Sequence, residues 1–165
     1  MKIIIRLALL VIVAAIGFWL WTVFFPSPES AIKKQLAAVA ALLTFNSKEG
    51  QLAKIANVED LTGYFSNDIE IVVDTPVQAR QSVSGHEDLR HILLGARTAL
   101  TGLEVEFKDV TVTLAPDKTG ATVSLTARAQ IAGDRDTFVQ EAKFILRKIE
   151  GKWLIVRIET VRTLT

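Results

Sequence analysis

The sequence predicts an α+β protein: an N-terminal transmembrane helix followed by a domain of about three helices packed on a strongly bent antiparallel sheet. Three observations carry this reading. Leu7 to Phe25 contains no charged residue. Between Ser30 and Leu100 apolar residues recur mainly at helical spacing. Between Leu103 and Leu164 they alternate in long runs separated by turn-forming clusters, the signature of successive strands.

The charge-free run comes first. Nineteen residues at helical rise cover about 28 Å, close to the ~30 Å hydrocarbon layer of a bilayer. A cleavable signal peptide has a similar basic start and apolar middle, but three features favour a retained anchor over residues 1–25. The run is longer than a signal core, it closes on the bulky Phe18, Trp19, Trp21, Phe24 and Phe25, and no pair of small residues marks a cleavage site after it. The aromatic cluster suits the headgroup level, so residues 3–25 are expected to contact the lipid bilayer. Lys2, Arg6 and the terminal amine precede the span, whereas Glu29, Lys33 and Lys34 follow it. That places the N-terminus inside and the domain outside the cytoplasm, with a bacterial periplasm as the expected compartment. The chain has no cysteine, which excludes disulfides and thiolate metal sites and fits an oxidising compartment.

Residues 26–29, with Pro26-Ser27-Pro28, form a short stiff spacer. Residues 30–165 are of the size of one domain with one core. The formal net charge of +1, from 19 basic and 18 acidic residues, gives no electrostatic footprint for nucleic acid. A first helix is expected from Ser30 to about Phe45 on Ile32, Leu36, Val39, Ala40 and Leu43. A second holds Leu52 and Ile55, with Asn57 capping a continuation through Leu61, Tyr64 and Phe65. Asp68 to Asp74 alternates, with Ile69, Ile71 and Val73 on one face, and Gln78 to Val83 forms a short return strand. Ser84-Gly85-His86-Glu87 has the form of a capping box opening a third helix with the stripe Leu89, Ile92, Leu93, Ala96 and Leu100. Strands follow over Leu103–Leu114, Ala121–Ile131, Phe138–Ile149 and Trp153–Leu164. Leu103, Val105 and Phe107 are odd-numbered whereas Val110, Val112 and Leu114 are even, which predicts a bulge near Lys108-Asp109.

Two helices, Tyr64-Phe65-Ser66-Asn67-Asp68 leading into a strand, Ser84 to Arg90 opening a third helix, and four long strands form an order that resembles the nuclear-transport-factor-2-like, or SnoaL-like, superfamily. The closing Gly151-Lys152-Trp153-Leu154-Ile155-Val156 looks like that family's final strand, and the resemblance covers about residues 30–164. It implies a cone-shaped domain. The superfamily hosts polyketide cyclases, ketosteroid isomerases, dehydratases and non-catalytic assembly modules, including membrane-anchored periplasmic parts of type IV secretion machines, so fold alone does not choose among these.

In enzymes of that superfamily, acid–base residues project into the cone. Cyclase-like members often carry histidine on the last strand, but the positions sharing a face with Trp153 and Ile155 are here Arg157 and Glu159, a departure from the cyclase pattern. As residues, the pair fits an ordinary ion pair along one strand face; as a site, it would hold an anion or a base. Gln140 is a polar intrusion on the face of Phe138, Ala142, Phe144 and Leu146, either aimed at a pocket or bonded to backbone at a strand end. Tyr64 combines an apolar body for the core with a hydroxyl able to reach a cavity. Asp68, Glu70 and Asp74 are read as solvated. His86 and His91 are five residues apart, about 140° around a helix, and do not share a ligand face, so no metal site is expected. No catalytic set, phosphate loop or nucleotide fingerprint is present, and no cofactor is expected. The last strand is apolar on both faces, with Trp153 and Ile155 on one and Leu154, Val156 and Ile158 on the other; a homodimer through the outer face would cover the second. The expected function is that of a non-enzymatic binding or assembly module with a protein partner in the envelope. The alternative is an isomerase- or cyclase-type enzyme using the cone.

Overall fold

The computed structural model describes residues 11–12, 14–16, 27–75 and 78–161. Most of the expected anchor, residues 1–25, therefore lies outside the described residues. Residues 11–12 and 14–16 are helical, and no helix among the described residues is long and apolar enough to cross a membrane.

The domain begins with α1 (Pro28–Leu43), two residues earlier than its apolar period suggests. The Ser27 side chain caps it by accepting the Ser30 N–H at 3.2 Å, and Pro28 occupies a first-turn position where no amide hydrogen is required. Ile32, Leu36 and Val39 form its buried stripe. A two-residue strand, β1 (Phe45–Asn46), leads to α2 (Gln51–Thr62). This helix is continuous, so Asn57 is not a cap; its amide instead donates to Glu49 Oε1 at 2.5 Å. Leu52 is 84% exposed and Ile55 is also exposed, while Val58, Leu61 and Thr62 are buried. Tyr64 and Phe65 lie past the helix end.

The hairpin β2 (Phe65–Thr75) and β3 (Gln78–Ser84) precedes α3 (His86–Ala99), and the meander β4 (Gly102–Leu114), β5 (Gly120–Ile131), β6 (Thr137–Ile149) and β7 (Lys152–Thr160) completes the chain. The expected capping box is not formed. Gly85 is the N-cap of α3, at φ 92° with no side-chain cap bond, because Ser84 still belongs to β3 and the chain must turn sharply. Its N–H donates to the Ile69 carbonyl at 2.9 Å, anchoring that turn to β2.

The seven strands lie in the order β1-β4-β5-β6-β7-β2-β3. The sheet is mixed rather than antiparallel, since β2 pairs with β7 in parallel. The reason is topological: β3, α3 and three long strands lie between them and return β7 alongside β2 in the same direction. The predicted bulge is present, with the β4–β5 register shifting between Lys108 and Thr111 and Asp109 at φ 53°. Bulges bend and twist a sheet locally, and this one helps curve β4 over α1. The concave side carries Ala121, Val123, Leu125, Ala142, Phe144 and Leu146, packed against Ile32, Leu36, Val39, Leu61 and Leu89.

Candidate functional site

A second register shift decides the fate of the expected cone residues. Leu146 faces Ile155 and Ile145 faces Arg157, which leaves Val156 as an extra residue on β7. Strand side chains alternate, so one unpaired residue inverts the phase of everything after it. Ile155 is fully buried, and Ile158, opposite Phe144, joins the core. Arg157 and Glu159 accordingly leave the face of Trp153 and Ile155 and stand on the outer side of the sheet, beside Ile145 and Lys143. Arg157 Nε lies 2.5 Å from Glu159 Oε1, and Arg157 Nη1 lies 2.6 Å from Glu70 Oε2. Glu70 is thus an ion-pair partner rather than a solvated carboxylate. The three side chains are 33%, 34% and 43% exposed for Arg157, Glu159 and Glu70, a geometry that fastens β2 to β7 and offers nothing to the cone interior.

Gln140 does share the concave face, opposite Ala127. Its amide donates to the carbonyls of Val161 at 2.9 Å and Glu141 at 3.1 Å, so it satisfies backbone at the end of β7. Phe107 and Phe144 meet edge to face, with ring centroids 5.6 Å apart. Ile71, Val110, Val112, Ala127 and Ile158 pack around the same core.

Tyr64, in the turn between α2 and β2, lies elsewhere. Its carbonyl accepts the Ile155 N–H at 2.9 Å, and the residue lines an open depression of about 470 Å³ with Gln35, Glu59, Asp60, Gly63, Lys152, Trp153 and Leu154. Glu59 is engaged by Arg90 at 3.2 Å. The four sequence candidates therefore do not converge: Arg157 and Glu159 meet on the outer face, and Gln140 and Tyr64 stand apart from them and from each other.

His86 is more than a solvated first-turn residue, because its Nε2 is 3.1 Å from the Thr62 carbonyl and ties the start of α3 to the end of α2. His91 is exposed. Among the described residues, no group of three or more His, Asp or Glu is placed to hold a metal.

The strongest polar constellation is one that sequence reasoning missed. Arg97 is 3% exposed, and its Nη1 lies 2.6 Å from both oxygens of Glu49. Its Nη2 donates to the Leu42 carbonyl, and its guanidinium sits 4.9 Å from the centre of the Phe45 ring. Lys54 Nζ donates to the Arg97 carbonyl at 3.1 Å. One side chain thereby joins the end of α1, β1, the loop before α2, and α3. Burial pushes the Glu49 carboxyl up, but hydrogen bonds from Arg97 and Asn57 and the charges of Arg97 and Lys54 outweigh it and hold the group below the ordinary carboxylate value. The available signal was spacing: Leu89, Leu93 and Arg97 recur every four residues, so Arg97 sits on the inner stripe, whereas Ile92, assigned to that stripe, is 50% exposed. The constellation is saturated with internal partners, which is the chemistry of a structural tie.

No protein-family model matches the chain, and no curated protein matches it. Solved structures do. A scytalone dehydratase-like protein from Novosphingobium aromaticivorans is 17% identical with a TM-score of 0.60, over 81% of this chain and 83% of its own. An NTF2-like protein of unknown function from Pseudomonas putida is 15% identical with a TM-score of 0.64, over 86% and 90%. The protein Aln2 from a Streptomyces species is 12% identical with a TM-score of 0.62, over 84% and 92%. At these identities the likeness is one of fold: the domain has an NTF2-like fold.

Proposed function

We propose that this chain is a membrane-anchored, extracytoplasmic and non-enzymatic binding or assembly module that works as a homodimer. The observation that carries the non-enzymatic reading is the position of the acid–base pair on the last strand. Arg157 and Glu159 lie outside the cone, and the concave side between Phe107, Phe144 and Ile158 is packed with apolar groups. General acid–base catalysis needs a titratable group within hydrogen-bond reach of the reacting atoms, and these side chains face the other way. The alternative, an isomerase- or cyclase-type enzyme, has fold likeness in its favour, and fold is a weak guide to activity.

Anchoring rests on the charge-free run and its aromatic end, and dimerisation on half-buried Ile145, Leu154 and Val156, which leave apolar surface on the outer face. Arg157 and Glu159 border that patch, so the contact is narrower than an apolar β7 would offer. A reporter fused after Thr165, with N-terminal sequencing of the purified chain, tests the anchor. The expected result is an extracytoplasmic signal and an intact N-terminus; a cytoplasmic signal or a chain starting beyond Pro26 contradicts it. Glu159→Gln tests the outer face: a folded, dimeric variant that loses its biological role would assign that role to the outer sheet around Glu159 and not to the cone interior.

A further inference from the structure

The depression beside Tyr64 brings aromatic, charged and amide groups together. Tyr64 and Trp153 give it aromatic walls. Asp60 and Lys152 bring opposite charges to the same rim, and neither makes an ion pair or a side-chain hydrogen bond among the described residues. The amide nitrogen of Gln35, on the α1 side, is buried without a partner among the described residues. An unpaired buried donor destabilises the fold until it meets an acceptor, so turning this amide toward the depression is favoured once an acceptor arrives.

The geometry points to a binding site for a small zwitterion in which an ammonium and a phosphate are joined by a short spacer, the chemistry of an aminoalcohol phosphoester. Aromatic faces attract an organic ammonium, and the Asp60 carboxylate adds to that attraction. Lys152 supplies the countercharge for phosphate, and the Gln35 amide supplies a donor to one of its oxygens. Location favours phosphate over carboxylate as the anion, a step that rests on the anchoring proposed above. The apolar run ends at Phe25, α1 begins at Pro28, and Gln35 is seven residues further on, about 10 Å along the axis. A site at that height is within reach of lipid headgroups. The same chemistry also occurs in free phosphoesters.

The test is calorimetric titration of the full chain, held in phosphatidylglycerol nanodiscs, with phosphocholine and phosphoethanolamine. The expected result is saturable binding at least about tenfold tighter than that of choline, inorganic phosphate or glycine betaine. Asp60→Asn and Lys152→Gln, both at exposed positions, should each weaken it about tenfold or more with an unchanged thermal midpoint. Gln35→Leu should raise the midpoint, by removing the unpaired amide, and weaken binding. Absence of saturable binding, unchanged affinity in the Asp60 and Lys152 variants, or equal binding of glycine betaine overturns the assignment. Repeating the titration in phosphatidylcholine nanodiscs identifies the source: loss of the titratable site supports occupancy by lipid headgroups, and its persistence supports a free phosphoester. Failure of the anchor is read separately, from the reporter fusion; a chain that does not enter nanodiscs is titrated free in solution with the same ligands, and absence of saturable binding there overturns the site in its own right.

Discussion

Replacing Arg97 with methionine should produce the largest single-site loss of stability outside the apolar core. The substitution keeps much of the aliphatic stem but removes the cation that neutralises Glu49, whose side chain is only 11% exposed. Breaking one half of a buried pair costs about 3–5 kcal/mol, chiefly because the remaining charge is left unpaired. Losing the contact with the Phe45 ring adds about 1 kcal/mol. A domain of this size has a total stability of about 5–15 kcal/mol, so the variant should remain folded but marginal, with its thermal midpoint lowered by about 10 °C or more. The assay is urea unfolding of the full chain in detergent, followed by circular dichroism, for wild type, Arg97→Met, Glu49→Gln and the double variant. The double variant should recover most of the loss, because a buried pair replaced on both sides leaves no orphan charge. The pH dependence supplies an independent sign. In the wild type the folded Glu49 has a lowered pKa, so its contribution is present above the unfolded carboxylate value and is lost as pH falls through the folded value. In Arg97→Met the hydrogen bonds and charge of Arg97 are gone and only Asn57 and Lys54 still oppose burial, so the folded carboxyl lies higher than in the wild type and its protonation at falling pH relieves part of the penalty. The difference between the two proteins should therefore shrink below about pH 4.5. A loss under about 1 kcal/mol, or a difference that does not change with pH, would refute the assignment of Arg97 and Glu49 as a coupled buried pair.

Arg157→Met should cost about 1 kcal/mol or less, since its partners are a third or more exposed; urea unfolding reads it, and a loss like that of Arg97 would mean the outer-face ion pairs are covered in the assembled protein. Gly85→Ala should destabilise by about 1–2 kcal/mol through its φ of 92° alone, because a Cβ there meets nothing within 4 Å; a neutral result would show that the turn relaxes freely. Val156→Lys should convert the proposed dimer to monomer in sedimentation without unfolding it. A monomeric wild type at high micromolar concentration would dispose of the dimer instead.

The fold was legible because its signals are redundant. Each long strand alternates over ten or so residues, and the parity change between Phe107 and Val110 exposed the first bulge directly. The second bulge left no such mark. Trp153, Leu154, Ile155, Val156 and Ile158 are all apolar, so a slip at Val156 changes which of them face inward without disturbing the pattern of residue types. Only the hydrogen-bond register against β6 reveals it, and that register is a property of two strands together. Arg97 escaped for the opposite reason. A charged residue on an apolar stripe reads as the edge of that stripe, and its partner Glu49 sits 48 positions earlier in a loop with no periodicity to place it. The parallel pairing of β2 with β7 was equally hidden, since both strands look alike whichever direction their neighbour runs.

The Val156 bulge also explains why a familiar architecture need not carry familiar chemistry. Without it, Arg157 and Glu159 would continue the face of Trp153 and Ile155 into the cone and bring two charges against Phe144. With it, Ile158 takes the inward place opposite Phe144, the charges turn outward to Glu70 and Lys143, and the concave side closes around apolar groups. One inserted residue thus exchanges a polar interior for a packed one and moves the charged surface to the outer sheet. On the non-enzymatic function proposed above, the interior serves stability and recognition falls to the surfaces, the outer face around Val156 and the rim beside Tyr64.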